Sequence, residues 1–151
     1  MTEMTLWIDL KQLSIACLLA LPIGWDRERE NRGAGLRTFP LVCLASCGMV
    51  LLARQALGTD SQVQARVLQG LMTGLGFIGG GAILKVDENV RGTATAPSIW
   101  NVGVIGAAVG FGMYSIAIIL ALANIALLRV MVPIKREIYR KGSAQRNADE
   151  N

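Results

Sequence analysis

Residues 92–128, GTATAPSIWNVGVIGAAVGFGMYSIAIILALANIALL, carry no charged side chain. Such a run exceeds the roughly 18 apolar residues that identify a membrane-spanning helix. As one helix rising about 1.5 Å per residue it would extend far beyond ~30 Å of hydrocarbon, so it must fold back. The reversal falls at Gly110-Phe111-Gly112-Met113-Tyr114, where glycine supplies the conformations a tight turn needs. This predicts spans over 97–111 and 115–132, with Pro97 in a first turn and Pro133 at a helix end.

Working outward, three more apolar stretches appear, over 5–24, 36–57 and 67–84. Pro22 and Gly24 should loosen the last turn of the first, and Arg54 can snorkel near the far end of the second. Lys85, Asp87 and Glu88 close the third, which is rich in glycine. The apolar run from Gln12 to Trp25 within the first stretch does not read as a signal peptide, because Glu3 and Asp9 precede it and Asp26-Arg27-Glu28-Arg29-Glu30 follows it. The expected fold is therefore all-α, a polytopic membrane bundle of about five transmembrane helices over 1–134, followed by a short basic tail over 135–151.

The composition agrees. The 151 residues are 52% hydrophobic and only 17% charged, with mean hydropathy +0.44. A soluble domain carries roughly a quarter charged residues. There is no histidine, which removes the side chain best suited to proton transfer near neutral pH and the commonest metal ligand. Cys17, Cys43 and Cys47 all lie in apolar segments, without CxxC spacing, and read as small hydrophobes. The net charge of +4 does not indicate nucleic acid, since no aromatic residues interleave with a basic stripe.

Orientation follows from lysine and arginine in the loops. Arg27, Arg29, Arg32, Arg37, Lys85, Arg91 and the tail residues Lys135, Arg136, Arg140, Lys141 and Arg146 fall on one face. The other face holds Lys11, Arg54 and Arg66. The N-terminus is expected outside and the C-terminus in the cytoplasm, with the tail available to anionic lipid.

Three segments stand out: Gly24-Trp25-Asp26-Arg27-Glu28-Arg29-Glu30 after the first span, Ala34-Gly35-Leu36-Arg37-Thr38 opening the second, and the 74–84 glycine-rich stretch joined to Val90-Arg91-Gly92-Thr93-Ala94-Thr95-Ala96-Pro97-Ser98-Ile99-Trp100. Together, in this order and spacing, they resemble the MgtC/SapB family of small bacterial inner-membrane proteins. The A-G-L-R-T motif stands unchanged at 34–38. Asp26 occupies the usual glutamate position, Gly80 that of an alanine, and Thr93-Ala94-Thr95-Ala96-Pro97 replaces L-T-T-A-A. The resemblance implies a role in adaptation to low magnesium, acid stress or survival within host cells, with modulation of a membrane partner such as the proton-driven ATP synthase. Many family members add a soluble regulatory domain, which is not expected in this chain.

The residues themselves suggest three kinds of site. Gly70 and Gly74, Gly76 and Gly80, and Gly106 and Gly110 share four-residue spacing and, with Gly79, clear helix faces for packing within the bundle or between copies in a homo-oligomer. Asp26 and Glu28 are expected to pair with Arg37 and Arg91, tying three helix ends together. Thr73 and Asn101, with Ser46, Ser98 and Asn124, are the polar groups inside spans, and such groups join helices more often than they conduct ions. No span has an acid in its middle, and no nucleophile and base are evident, so neither a catalytic site nor a cofactor is expected. Asp87 and Glu88 could touch magnesium but cannot cage it alone. A small magnesium or cation transporter is the alternative to a partner-binding protein.

Overall fold

The computed structural model describes residues 3–30, 33–86 and 89–149. They form α1 (Glu3–Arg29), α2 (Thr38–Leu57), α3 (Ser61–Gly81), β1 (Leu84–Val86), β2 (Asn89–Arg91), α4 (Thr95–Gly110) and α5 (Tyr114–Asp149). Five helices appear in the expected order. Among the described residues, α1, α2 and the 114–131 part of α5 are long and apolar enough to cross a membrane alone.

The uncharged run owes its composition to α4, which packs against all four other helices. Ile99, Val102, Ile105 and Val109 are each at most 1% exposed. A helix surrounded on all sides must be apolar on all sides. At 16 residues α4 spans about 24 Å at ~1.5 Å per residue, short for the hydrocarbon layer, and the protein around it supplies the rest of its environment. The turn to α5 falls where the glycines predicted it, with Gly112 at φ 77°.

Three boundaries differ from the sequence expectation. α3 starts at Ser61 rather than 67, because the Asp60 carboxylate accepts from the Gln62 N–H at 2.8 Å and caps the helix. α1 runs through Pro22 and α5 through Pro133, since an internal proline removes one backbone donor and both helices are otherwise continuous. A small antiparallel hairpin, Leu84 opposite Arg91 and Val86 opposite Asn89, occupies the α3–α4 connection. Gly92 follows it at φ 86°, and a Cβ there would strike the Ala82 carbonyl oxygen. Only glycine lets the chain pass this close to the end of α3 as it enters α4.

The ends of the bundle are tied by side chains. The Gln12 amide donates to the Val109 carbonyl at 2.8 Å and the Arg54 guanidinium to the Gly110 carbonyl at 2.9 Å, so α1 and α2 satisfy the last carbonyls of α4. Gln55 donates to the Asp9 carboxylate at 2.7 Å on the same end. The start of α1, the end of α2 and the end of α4 therefore share one end of the bundle, and the α1–α2 loop and the hairpin share the other.

Candidate functional site

The charged motif after α1 sits where that helix meets the α1–α2 loop. Glu28 accepts from the Leu36 N–H at 3.0 Å. A Cβ on Gly35 would collide with the Glu28 carboxylate, and one on Gly24 would lie 3.2 Å from the Gly35 carbonyl oxygen. Glycine at 24 and 35 thus lets the Ala34-Gly35-Leu36 segment lie flat against α1, and the Glu28 carboxylate holds it there. This gives A-G-L-R-T a mechanical role: the loop makes a backbone contact rather than an ion pair.

The expected charge network takes a different form. Asp26 pairs with Arg27 at 2.7 Å and with Arg129 of α5 at 3.3 Å, not with Arg37 or Arg91. The side chains of Arg27 and Asp26 are 4% and 14% exposed, so this pair is largely removed from solvent. Arg37 and Arg91 are exposed, and neither reaches Asp26 or Glu28 in an ion pair among the described residues. The reason is geometric: Arg37 precedes the first turn of α2, whereas α5 descends beside α1 and brings Arg129 across. Asp26 thus joins the end of α1 to the body of α5, and the three-way tie of helix ends is not formed among the described residues. Arg32, Asp87 and Glu88 lie outside the described residues.

The polar groups of α4 and α5 join those two helices, whereas Thr73 and Ser46 join none. The Ser98 hydroxyl bonds the Asn124 side-chain oxygen at 3.1 Å, and the Asn101 amide donates to the Leu120 carbonyl at 3.3 Å, both across the α4–α5 seam. Thr73 donates to the Gln69 carbonyl of its own helix at 2.9 Å. Among the described residues there is no group of three or more His, Cys, Asp or Glu that could hold a metal ion.

The glycines divide into two populations. Gly106 and Gly110 face α2 so closely that a Cβ would meet the Cys43 carbonyl at the first and Val50 at the second. Gly79 meets the Ala96 carbonyl, and Gly103, which the spacing argument passed over, meets Leu75. Gly70, Gly74, Gly76 and Gly80 have nothing within 4 Å of a built Cβ. Gly70 and Gly74 line an apolar groove of about 580 Å³ between α2 and α3, with Leu41, Met49 and Ile78.

α3 carries a second unexpected feature. Gln62, Arg66, Gln69, Thr73, Gly76, Phe77 and Gly80 recur at helical spacing on one exposed face, and Phe77 is 86% exposed. The opposite face packs Leu71, Met72 and Leu75 against the core. The sequence marked Thr73 and the glycines of this span, but with a start at 67 it did not join them to Gln62, Arg66 and Gln69; a 3.6-residue period carried back to Ser61 reveals the stripe.

A five-helix bundle with its polar groups at helix seams and ends defines a small polytopic membrane protein. The MgtC family model matches residues 13–137, and the chain belongs to that family. Protein SrpB of Synechococcus elongatus is 35% identical over 126 residues, covering 75% of this chain and 69% of that protein. Protein MgtC of Brucella abortus is 35% identical over 137 residues, covering 88% and 57% respectively. A protein of Escherichia coli named putative magnesium transporter YhiD is 30% identical over 136 residues, covering 86% and 63%. The chain thus spans between 57% and 69% of the length of these relatives. No solved structure gives a significant match.

Proposed function

We propose that the protein acts without catalysis, in a bacterial inner membrane, by binding a transmembrane helix of a membrane partner through the exposed face of α3. The observation that carries this reading is the polar and glycine stripe of that face. Thr73 is satisfied within its own helix, but lipid offers the Gln69 side chain no hydrogen-bonding partner, whereas a second helix can approach the glycines closely and bond that amide. The arrangement is suited to regulation of a larger complex, in keeping with a role in low-magnesium or acid adaptation and in host survival, and the proton-driven ATP synthase is one such partner. In the proposed orientation the N-terminus lies outside and the C-terminus in the cytoplasm, consistent with the loop charges.

A photo-crosslinking residue at Phe77 tests it in native membranes, with the same residue at Ile119 of α5, 64% exposed, as control. Phe77 should capture a defined membrane protein while Ile119 captures lipid. Capture of lipid alone at both positions would refute partner binding, and capture of a second copy would assign the face to a homo-oligomer.

A cation transporter is the second reading. It draws on an opening of about 440 Å³ along the α4–α5 seam, whose mostly apolar lining includes Ser98, Asn101 and Asn124. Saturable magnesium flux in proteoliposomes, abolished by Asn101→Leu, would establish it over partner binding.

A further inference from the structure

The two ends of α4 are treated differently. Side chains from α1 and α2 satisfy its last carbonyls, whereas its first turn opens at Ala94 with no side-chain cap. A helix start concentrates positive potential, and that end is normally covered by a side-chain oxygen, water or an anion. Here the Ala96 N–H already donates to the Gly92 carbonyl at 2.9 Å and Pro97 carries no N–H, so the start of α4 contributes its dipole and leaves hydrogen bonding to side chains.

At this uncapped end lies a pocket of about 130 Å³ bounded by α1, β2, the start of α4 and α5. Two buried polar side chains line it without satisfying their donors. Thr95 is 1% exposed and its hydroxyl has no hydrogen-bond partner. Arg27 is 3% exposed; it engages Asp26 through one terminal nitrogen, but its Nε has no acceptor. Buried donors of this kind are almost always paired, so two of them lining one cavity mark a place where an acceptor belongs. Arg91 adds an exposed guanidinium from β2. Glu30 also lines the pocket and has an interaction of its own. Arg27 is already neutralised by Asp26 and Arg91 faces Glu30, so the pocket offers an anion unsatisfied donors and the dipole of a helix start rather than a large net charge.

From these features we infer that the pocket binds a phosphoryl anion, held by Arg27 Nε, the Thr95 hydroxyl and Arg91, with the dipole of α4 directed at it. Its size supports this class of ligand. At about 130 Å³ the pocket has room for a tetrahedral oxyanion, free or carried on a larger molecule that extends out of it. The same chemistry is offered by free phosphate and by the phosphodiester of an anionic lipid headgroup, and the pocket stands at a helix end where both have access.

The test uses the full chain and two substitutions, Thr95→Val and Arg91→Gln. Purified in an uncharged detergent, the protein is titrated with inorganic phosphate against chloride at constant ionic strength, following its melting temperature. In parallel it is exchanged into nanodiscs of phosphatidylcholine with or without phosphatidylglycerol, and retained lipid is counted by native mass spectrometry. Saturable stabilisation by phosphate over chloride identifies free anion as a ligand, and selective retention of phosphatidylglycerol identifies the headgroup. In either case each substitution should weaken binding at least fivefold. Arg91 is exposed, so Arg91→Gln decides the matter alone if Thr95→Val does not fold. The inference is overturned if neither probe binds, if chloride stabilises equally, or if both variants that fold bind as the parent does.

Discussion

Gly106→Ala and Gly76→Ala are the same chemical change at two helix positions with opposite surroundings. Each gains about 1 kcal/mol of helix propensity, so that contribution cancels in the comparison. A Cβ at Gly106 enters the space of the Cys43 carbonyl oxygen, with the Cys43 carbonyl carbon and the Ser46 Cβ both at 3.0 Å. The obstacle is backbone, which cannot rotate away, so α2 must move off α4. That movement loosens contacts made by Phe39, Val102 and Ile105, all at or near zero exposure. Overpacking of this kind costs about 1–3 kcal/mol. At Gly76 nothing lies within 4 Å and no such cost arises. At about 2–4 °C per kcal/mol for a chain of this size, a difference near 2 kcal/mol separates the two melting temperatures by roughly 4–8 °C. Fluorescence from Trp100 on α4, in detergent micelles, reports the transition. Equal melting temperatures would mean that α2 and α4 do not meet at Gly106, and the packing account would fail.

Three further outcomes follow from the same geometry. Asp26→Ala leaves Arg27 buried without its carboxylate and should cost about 3–5 kcal/mol in chemical unfolding, whereas Arg129→Ala, whose side chain is 61% exposed, should cost at most about 1 kcal/mol. Similar losses for the two would remove the central place given to the Asp26–Arg27 pair. Glu28→Gln keeps an acceptor for the Leu36 N–H and should unfold close to the parent, while Glu28→Ala loses about 1 kcal/mol and increases hydrogen exchange at Leu36. Arg54→Ala exposes the end of α4 and should cost about 1–2 kcal/mol, with faster exchange confined to the 106–113 turn region; unchanged exchange there would show that water replaces the guanidinium.

Much of the fold was legible because a membrane imposes a simple rule on sequence: backbone and side-chain polarity must be hidden over a fixed thickness. The spans beginning at 5, 36, 97 and 115, and the turn around Gly112, follow from that rule and from glycine's access to positive φ. Boundaries were less legible where local chemistry overrode it. Asp60 extends α3 by capping it, and Pro22 and Pro133 do not stop their helices. The charge network was misread because Asp26 and Arg129 are 103 residues apart, and no spacing rule connects them. The α3 stripe was present in the sequence as a period, but its significance depended on knowing which face the bundle leaves uncovered.

By itself, then, the sequence determined the solvent this chain folds in, the number of helices and the order in which they are laid down, because these depend on where charge and apolar length fall along one chain. The tertiary structure decided what each small or polar residue is for. Gly106 and Gly76 are indistinguishable as letters in an apolar helix, yet one admits the backbone of α2 and the other faces outward. Thr95 and Arg27 read as a helix-start threonine and one arginine among many, and only the approach of α1, β2, α4 and α5 leaves both with unspent hydrogen bonds in one pocket. The physical reason is the same in each case: close approach and burial are properties of pairs of elements, and they arise only when those elements meet.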